Sequence, residues 1–284
     1  MDDFDWVFYT RFYPDISACI KTAEKAREHY KSLGSKEIEQ RWSHFDLNQI
    51  KCDKYGTSYL VDNTDFFYGI DSSVIRSLIK DTRLTNESKV LEVNCGIACH
   101  ALPLIKFLST GFYLGLDRDP LNVEWAQQHI ANPSKKVSFQ VLETEETTED
   151  PFSSIESEQF DLIFDTRSMC NRPFNQFVHQ LGHVSRLLKK GGHLIYLGFI
   201  WNNTLMGPIP RKKGLKTEMK NGHIVMTNPH KEQVIVQSDE FLYTHFEKNQ
   251  LELKDVFYGR WSETSENHLY QDFIHLSKLS FDVL

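Results

Sequence analysis

This chain is poor in the features that would set it outside the ordinary globular class. No run approaches the roughly 18 uninterrupted apolar residues that cross a bilayer, so no membrane span is expected. The start, MDDFDWVFYT, is acidic and lacks an apolar core, so it does not read as an export leader. There is no repeat at solenoid spacing and no low-complexity tract. Basic charge is in deficit, with 32 Lys and Arg against 39 Asp and Glu and a net charge of −7. An acidic surface repels phosphate backbones, which argues against general nucleic-acid binding and leaves only a local basic patch open. Cysteine is scarce and odd in number: Cys19, Cys52, Cys95, Cys99 and Cys170. That set matches no disulfide framework, so reduced thiols and a cytoplasmic location are expected. Cys95 and Cys99 stand four apart, but no second pair or histidine cluster completes a zinc site, and no metal is expected.

What is present is an ordinary composition, 40% hydrophobic over 284 residues. This suits one α/β domain with appendages. Residues 1–42 read as an N-terminal unit. Aromatic residues crowd its start (Phe4, Trp6, Phe8, Tyr9, Phe12, Tyr13), and Ile16–Tyr30 has helical spacing before Gly34. Residues 43–85 carry Tyr55, Tyr59, Phe66, Phe67 and Tyr68, then a predicted helix from Ser72 to Lys80.

From residue 86 the pattern alternates. Lys89–Val93 is a short apolar run, hence a strand, and Ala98–Leu108 a helix. Phe112–Leu116, Val137–Leu142, Phe160–Phe164 and His193–Phe199 are further strands. Pro120–Ile130 and Asn175–Leu188 are helices, the second closed by Lys189-Lys190-Gly191-Gly192. Residues 201–237 are an insertion, with Gly222–Thr227 and Gln233–Gln237 as a hairpin. A helix capped by Ser238 and strands at Leu251–Phe257 and Leu269–Leu276 end the chain. Strands alternating with helices imply a doubly wound, mostly parallel α/β sheet.

The chemistry is concentrated in one turn, Glu92-Val93-Asn94-Cys95-Gly96-Ile97-Ala98, between the first strand and its helix. In a doubly wound sheet this turn lies beside the switch point, where ligands bind outside the carboxyl ends of the strands. Small residues let the backbone approach a ligand. Asp117 ends the next strand, 21 residues after Gly96. A carboxylate there accepts hydrogen bonds from both ribose hydroxyls of a nucleoside. A dinucleotide oxidoreductase would share these features.

The rest of the chain separates the two readings. The turn, the segment FDLIFD at Phe160–Asp165 and the segment LLKKGGHLIYLG at Leu187–Gly198 resemble the class I S-adenosylmethionine (SAM)-dependent methyltransferases over roughly residues 75–280. The resemblance implies a seven-stranded sheet with an antiparallel last strand, and SAM as cofactor with S-adenosylhomocysteine as product. It implies that Glu92 faces the methionine end of SAM. Asn94, Gly96 and Ala98 stand where the family prefers three glycines, and Cys95 lies among them. Asp117, with Arg118 beside it, would hold the ribose, and Leu142 and Glu143 would border the adenine. Asp165 ends the fourth strand near the methionine group and the acceptor. Only Gly96 of the three loop glycines remains, although Asn94 tolerates a left-handed backbone best after glycine.

Methyl transfer needs positioning, and a base when the acceptor is a hydroxyl. Candidate bases are Asp165, His179 and His183. Arg167 and Arg172 are candidates to hold an anionic acceptor. Tyr68, Trp201, His223 and Trp261 are candidate acceptor-site residues under a lid formed by the residue 43–85 segment and the inserted hairpin. The opening FDWVFYTRFYPDI followed by AEKAREHYKSLGSKE resembles a short module that accompanies glycosyltransferases and glycan-assembly proteins, without its usual final Gly-Arg. It points to a sugar hydroxyl as acceptor, within a wider expectation of a small molecule. A homodimer is left open. The alternatives are a methyltransferase-like protein that no longer catalyses and a methyltransferase acting on RNA or protein. Asp165-Thr166-Arg167-Ser168 follows the fourth strand in place of an Asn-Pro-Pro-Tyr-type motif, which argues against N-methylation of a flipped base.

Overall fold

The computed structural model describes residues 20–29, 32, 82–96, 98, 104, 107–130, 136–143, 150–165, 169, 172–201, 216–220, 223–227, 233–259 and 271–280. The residue 43–81 lid segment and most of the N-terminal module lie outside them. Within that module, helix α1 covers Ala23–His29 and buries Ala26 completely.

Strands β1 (Lys89–Val93), β2 (Phe112–Asp117), β3 (Val137–Val141), β4 (Phe160–Asp165) and β5 (Leu188–Gly198) form the parallel part of one sheet. Strands β10 (Leu251–Phe257) and β11 (Asp272–Lys278) complete it, in the order β10-β11-β5-β4-β1-β2-β3. Only β11 runs against the rest, pairing antiparallel with both β5 and β10. The expected seven-stranded, doubly wound sheet with an antiparallel last strand is therefore the observed fold. The central strands β1 and β4 are buried almost throughout, as strands covered on both faces must be.

Helix α2 (Pro120–His129) starts where the sequence sets it, with Pro120 in the first turn and Asp119 as cap, its carboxylate accepting from Leu121 N at 2.9 Å. Helix α3 (Phe174–Leu187) buries Phe177, Gln180, Leu181, Val184 and Leu187, the three-and-four spacing of a core-facing stripe. Each large apolar side chain so buried contributes about 2 kcal/mol. Helix α4 (Asp239–Lys248) is capped by Ser238, whose hydroxyl accepts from Phe241 N, and it buries Leu242 and Phe246 one turn apart.

Two differences from the sequence reading have physical causes. The run Lys189-Lys190-Gly191-Gly192 does not close α3; it is a bulge at the start of β5, where the pairing jumps from Phe160↔Leu188 to Leu162↔His193. Lys189 Nζ donates to Asp161 Oδ1 at 2.6 Å across this bulge. Gly191 takes φ +76°, and a Cβ on Gly192 would sit 2.9 Å from two backbone carbonyl oxygens. Glycine is thus required here by a strand irregularity rather than by a helix end.

The second difference is in the insertion. The expected hairpin is present as β8 (His223–Thr227) and β9 (Gln233–Ser238), paired antiparallel. It is extended by β7 (Lys216–Lys220) and by the two-residue β6 (Ile200–Trp201), giving a sheet in the order β6-β9-β8-β7. Lys216-Thr-Glu-Met-Lys has no apolar alternation, so its strand character comes from pairing with β8 alone.

Candidate active site

Strand order turns at β1, which pairs with β2 on one side and β4 on the other. Val93 lies level with Leu116 and with Asp165, so the carboxyl ends of β1, β2 and β4 finish together. This brings Glu92, Asn94, Asp117 and Asp165 to one rim from positions far apart in sequence.

The turn after β1 is held from below. Cys95 N donates to Leu116 O at 2.9 Å, and Ala98 N to Cys95 O at 2.8 Å. Asn94, Gly96 and Ala98 adopt φ values of +58°, +57° and +60°. These are the three places where the resembled family prefers glycine, and all three are left-handed although two carry side chains. Asparagine accommodates that region best of the non-glycine residues; alanine does so only under strain. Ala98 is also completely buried.

Gly115 explains why the turn can lie so close to β2. A Cβ there would come 2.5 Å from the Phe139 ring and 3.0 Å from Cys95 Sγ. Phe139 is buried and packs on Tyr113 with 5.8 Å between ring centroids, so it cannot yield cheaply.

Asp117 is the anchor of the site. Its Oδ2 accepts from Gly96 N at 2.7 Å, and its Oδ1 accepts from Asp119 N at 2.9 Å and from Asn122 Nδ2 at 3.2 Å. The side chain is thereby fixed in one orientation at the turn. A carboxylate has about four lone-pair sites, so these contacts leave it able to accept from a ligand. Leu142 N donates to Asp117 O at 2.8 Å, which sets buried Leu142 and exposed Glu143 beside it. Arg118 is next in the chain and partly buried.

Glu92 is fully buried on β1, and its Oε2 accepts from the Tyr113 hydroxyl. Asp165 is also buried, and its Oδ2 accepts from Gln180 Nε2 at 2.9 Å. Gln180 was not among the residues singled out from the sequence. The trace it leaves there is an amide three residues after Phe177 within the apolar stripe of α3.

The remaining candidates divide. His179 is exposed on α3; the side chain of that helix reaching Asp165 is its neighbour Gln180. His183 faces another way, with Nδ1 3.1 Å from Asp150 Oδ1 and its ring 5.9 Å from that of Phe152. Arg172 is buried. Trp201 is buried on β6, which pairs with β9. His223 opens β8. Tyr68, Arg167 and Trp261 lie outside the described residues.

A family model described as a methyltransferase domain matches residues 84–273, more than half of the chain. Solved structures of the same fold include a protein of Pyrococcus horikoshii, 14% identical, with a TM-score of 0.55 over 75% of this chain and 91% of that one. The 1,6-didemethyltoxoflavin-N1-methyltransferase of Burkholderia thailandensis is 13% identical, with a TM-score of 0.51 over 82% of this chain and 87% of that one. Its structure holds 1,6-didemethyltoxoflavin and S-adenosylhomocysteine. The magnesium protoporphyrin IX methyltransferase of Synechocystis, solved with S-adenosylhomocysteine, is 12% identical, with a TM-score of 0.50 over 90% of this chain and 98% of that one. At these identities the likeness is one of fold.

Proposed function

Since this chain belongs to the class I SAM-dependent methyltransferase family, we propose that it binds SAM at the β1–β2–β4 rim and methylates a small-molecule acceptor. One observation carries the reading. The turn keeps a left-handed backbone at Asn94, Gly96 and Ala98, and its Gly96 N–H is tied to the Asp117 carboxylate. A loop released from ligand binding has no reason to hold Ala98 at φ +60°, a conformation that costs an L-residue about 1–2 kcal/mol. This weighs against a relative that has lost its cofactor.

The residues present fit the cofactor. SAM supplies an electrophilic methyl group on a sulfonium for in-line displacement. Asp117, already oriented by Gly96, Asp119 and Asn122, is placed to accept from ribose hydroxyls. Buried Leu142 offers an apolar wall for the adenine. Glu92 and Asp165 set negative charge near the cationic end, where a low dielectric strengthens the attraction.

Asp165 is the favoured base if the acceptor is a hydroxyl. Gln180 Nε2 donates to Asp165 Oδ2 and orients the carboxylate for that role. His179, another candidate, is exposed and less suited to a site that excludes water. The inserted hairpin, with Trp201 and His223, and the residue 43–85 segment, with Tyr68, are proposed to close over the acceptor, with Trp261 lining its site. A sugar or glycan hydroxyl is the acceptor class we favour, on the resemblance of the N-terminal module alone.

Calorimetry with S-adenosylhomocysteine tests the cofactor reading. Wild-type protein is expected to bind at micromolar concentration, and Asp117→Ala to weaken binding by about 100-fold or more through loss of two charge-assisted contacts. Absence of binding by wild type at high micromolar concentration would sink the proposal.

A further inference from the structure

Buried polar groups in folded proteins find partners, and a buried donor without one calls for an explanation. Asn94 Nδ2 is such a group: it is buried and makes no hydrogen bond. The same residue is held at φ +58°. Asn94 therefore carries two penalties, a left-handed backbone and an unpaired amide, and glycine at this position would carry neither.

The surroundings indicate what the amide serves. Asn94 follows Val93, which lies level with Leu116 and Asp165, so it stands at the end of β1 between Asp117 and Asp165. Glu92 precedes it by two residues. All three acids are buried. A rim of three carboxylates attracts a sulfonium and an ammonium group, but it repels an anion. The cofactor carries all three charges on its amino-acid end. Its carboxylate needs a donor that adds no further acid, and the Asn94 amide is an uncommitted one at this rim.

We infer that the Asn94 side-chain amide binds the carboxylate of the cofactor's amino-acid group, making Asn94 a determinant of affinity for the whole cofactor rather than a tolerated replacement for glycine. The inference rests on the cofactor reading above. Binding pairs the buried N–H with an anion, the stronger kind of hydrogen bond.

The test uses the full chain, calorimetry, and two ligands: S-adenosylhomocysteine and 5′-methylthioadenosine, which lacks the amino-acid group. Asn94→Gly keeps the left-handed backbone and removes the donor. It is expected to bind S-adenosylhomocysteine about tenfold more weakly, with affinity for methylthioadenosine unchanged within about twofold. Its melting temperature should equal or exceed that of wild type, which separates lost binding from lost folding. Asn94→Asp should bind S-adenosylhomocysteine more weakly still, because a carboxylate would face a carboxylate. The inference is overturned if Asn94→Gly binds S-adenosylhomocysteine as tightly as wild type, or if both ligands weaken equally. Wild-type protein that binds neither ligand would instead remove the cofactor reading itself, and this inference with it.

Discussion

The two sides of the main sheet differ in how their buried polar groups are tied down. On the β5–β11 side, such groups close on the protein. Asp272 is fully buried and uses both oxygens: Oδ2 accepts from Ile200 N at 2.6 Å and Oδ1 from Gly259 N at 2.7 Å. Lys278 Nζ donates to Leu188 O at 3.0 Å, and His275 Nε2 lies 2.9 Å from His193 Nδ1. These contacts join residues 13 to 90 apart in the chain and hold the antiparallel strand in register. On the β1–β2–β4 side, the Asp117 contacts are local and shape a short turn, Asn94 keeps an unpaired donor, and Ala98 is strained. Satisfied polar groups mark the part of the fold that only has to hold together. A polar group kept short of satisfaction on strained backbone, as Asn94 is, marks the part that we propose meets a ligand.

This contrast is broken most severely at Asp272. Asp272→Ala leaves two buried N–H groups without acceptors and is expected to cost about 3 kcal/mol or more in urea unfolding. The affinity of the folded fraction for S-adenosylhomocysteine should stay unchanged. A parallel loss of affinity would show that the two sides are not separate in function.

The histidine pair sets a smaller, pH-dependent effect. One ring N–H donates to the bare nitrogen of the other, an arrangement that two protonated rings cannot make. Burial, then the neighbouring His193, pushes His275 down to about 4. Burial, then Lys254 and Arg83, lowers His193 as well. Asp255 acts the other way on His275 without reversing the direction. The fold thus favours neutral rings, while the unfolded chain takes up protons near the ordinary value of about 6.5. Stability from the pair is complete above that pH and is lost as pH falls from about 6.5 through 4. After discounting for solvent screening the loss is on the order of 1–2 kcal/mol. Chemical denaturation of wild type and His275→Gln between pH 7 and 4.5 should show a flatter acid limb in the variant; identical slopes would refute this account.

The smallest expected effect sharpens the comparison from the other side. Ala98→Gly relieves a left-handed alanine at the cost of a more flexible unfolded chain, for a net gain of about 0.5–1 kcal/mol. Its melting temperature should rise by a few degrees. No rise, or a fall, would mean that the buried methyl contributes more packing than its backbone strain costs.

Much of this was legible in the residues. The bounds of β1 and β10 match the sequence reading, as do Pro120 in the first turn of α2 and the cap Ser238, because apolar runs and capping side chains act locally. Asp117 was legible from its spacing to Gly96. Gln180 was not, since an amide within an apolar stripe reveals its partner only when α3 meets the end of β4. Helix α3 ends at Leu187, within a residue of where the sequence puts it, but glycine after lysine serves a helix stop and a bulge alike, and only the pairing with β4 assigns Lys189–Gly192 to the bulge of β5. Strand β7 was missed because its edge position demands no apolar alternation.

By itself the sequence determined the alternation of strands and helices, the place of the turn after β1 and the family to which the chain belongs. Those follow from periodicity, small residues and an acid at a fixed interval, each a matter of neighbours along the chain. Only the tertiary structure decided that Asn94 and Ala98 keep the backbone of glycine, that Glu92, Asn94, Asp117 and Asp165 meet at one rim, and that the histidines of β5 and β11 touch. Left-handed dihedrals at non-glycine residues, strand register and the satisfaction of buried polar atoms depend on contacts between distant segments, which no local pattern encodes.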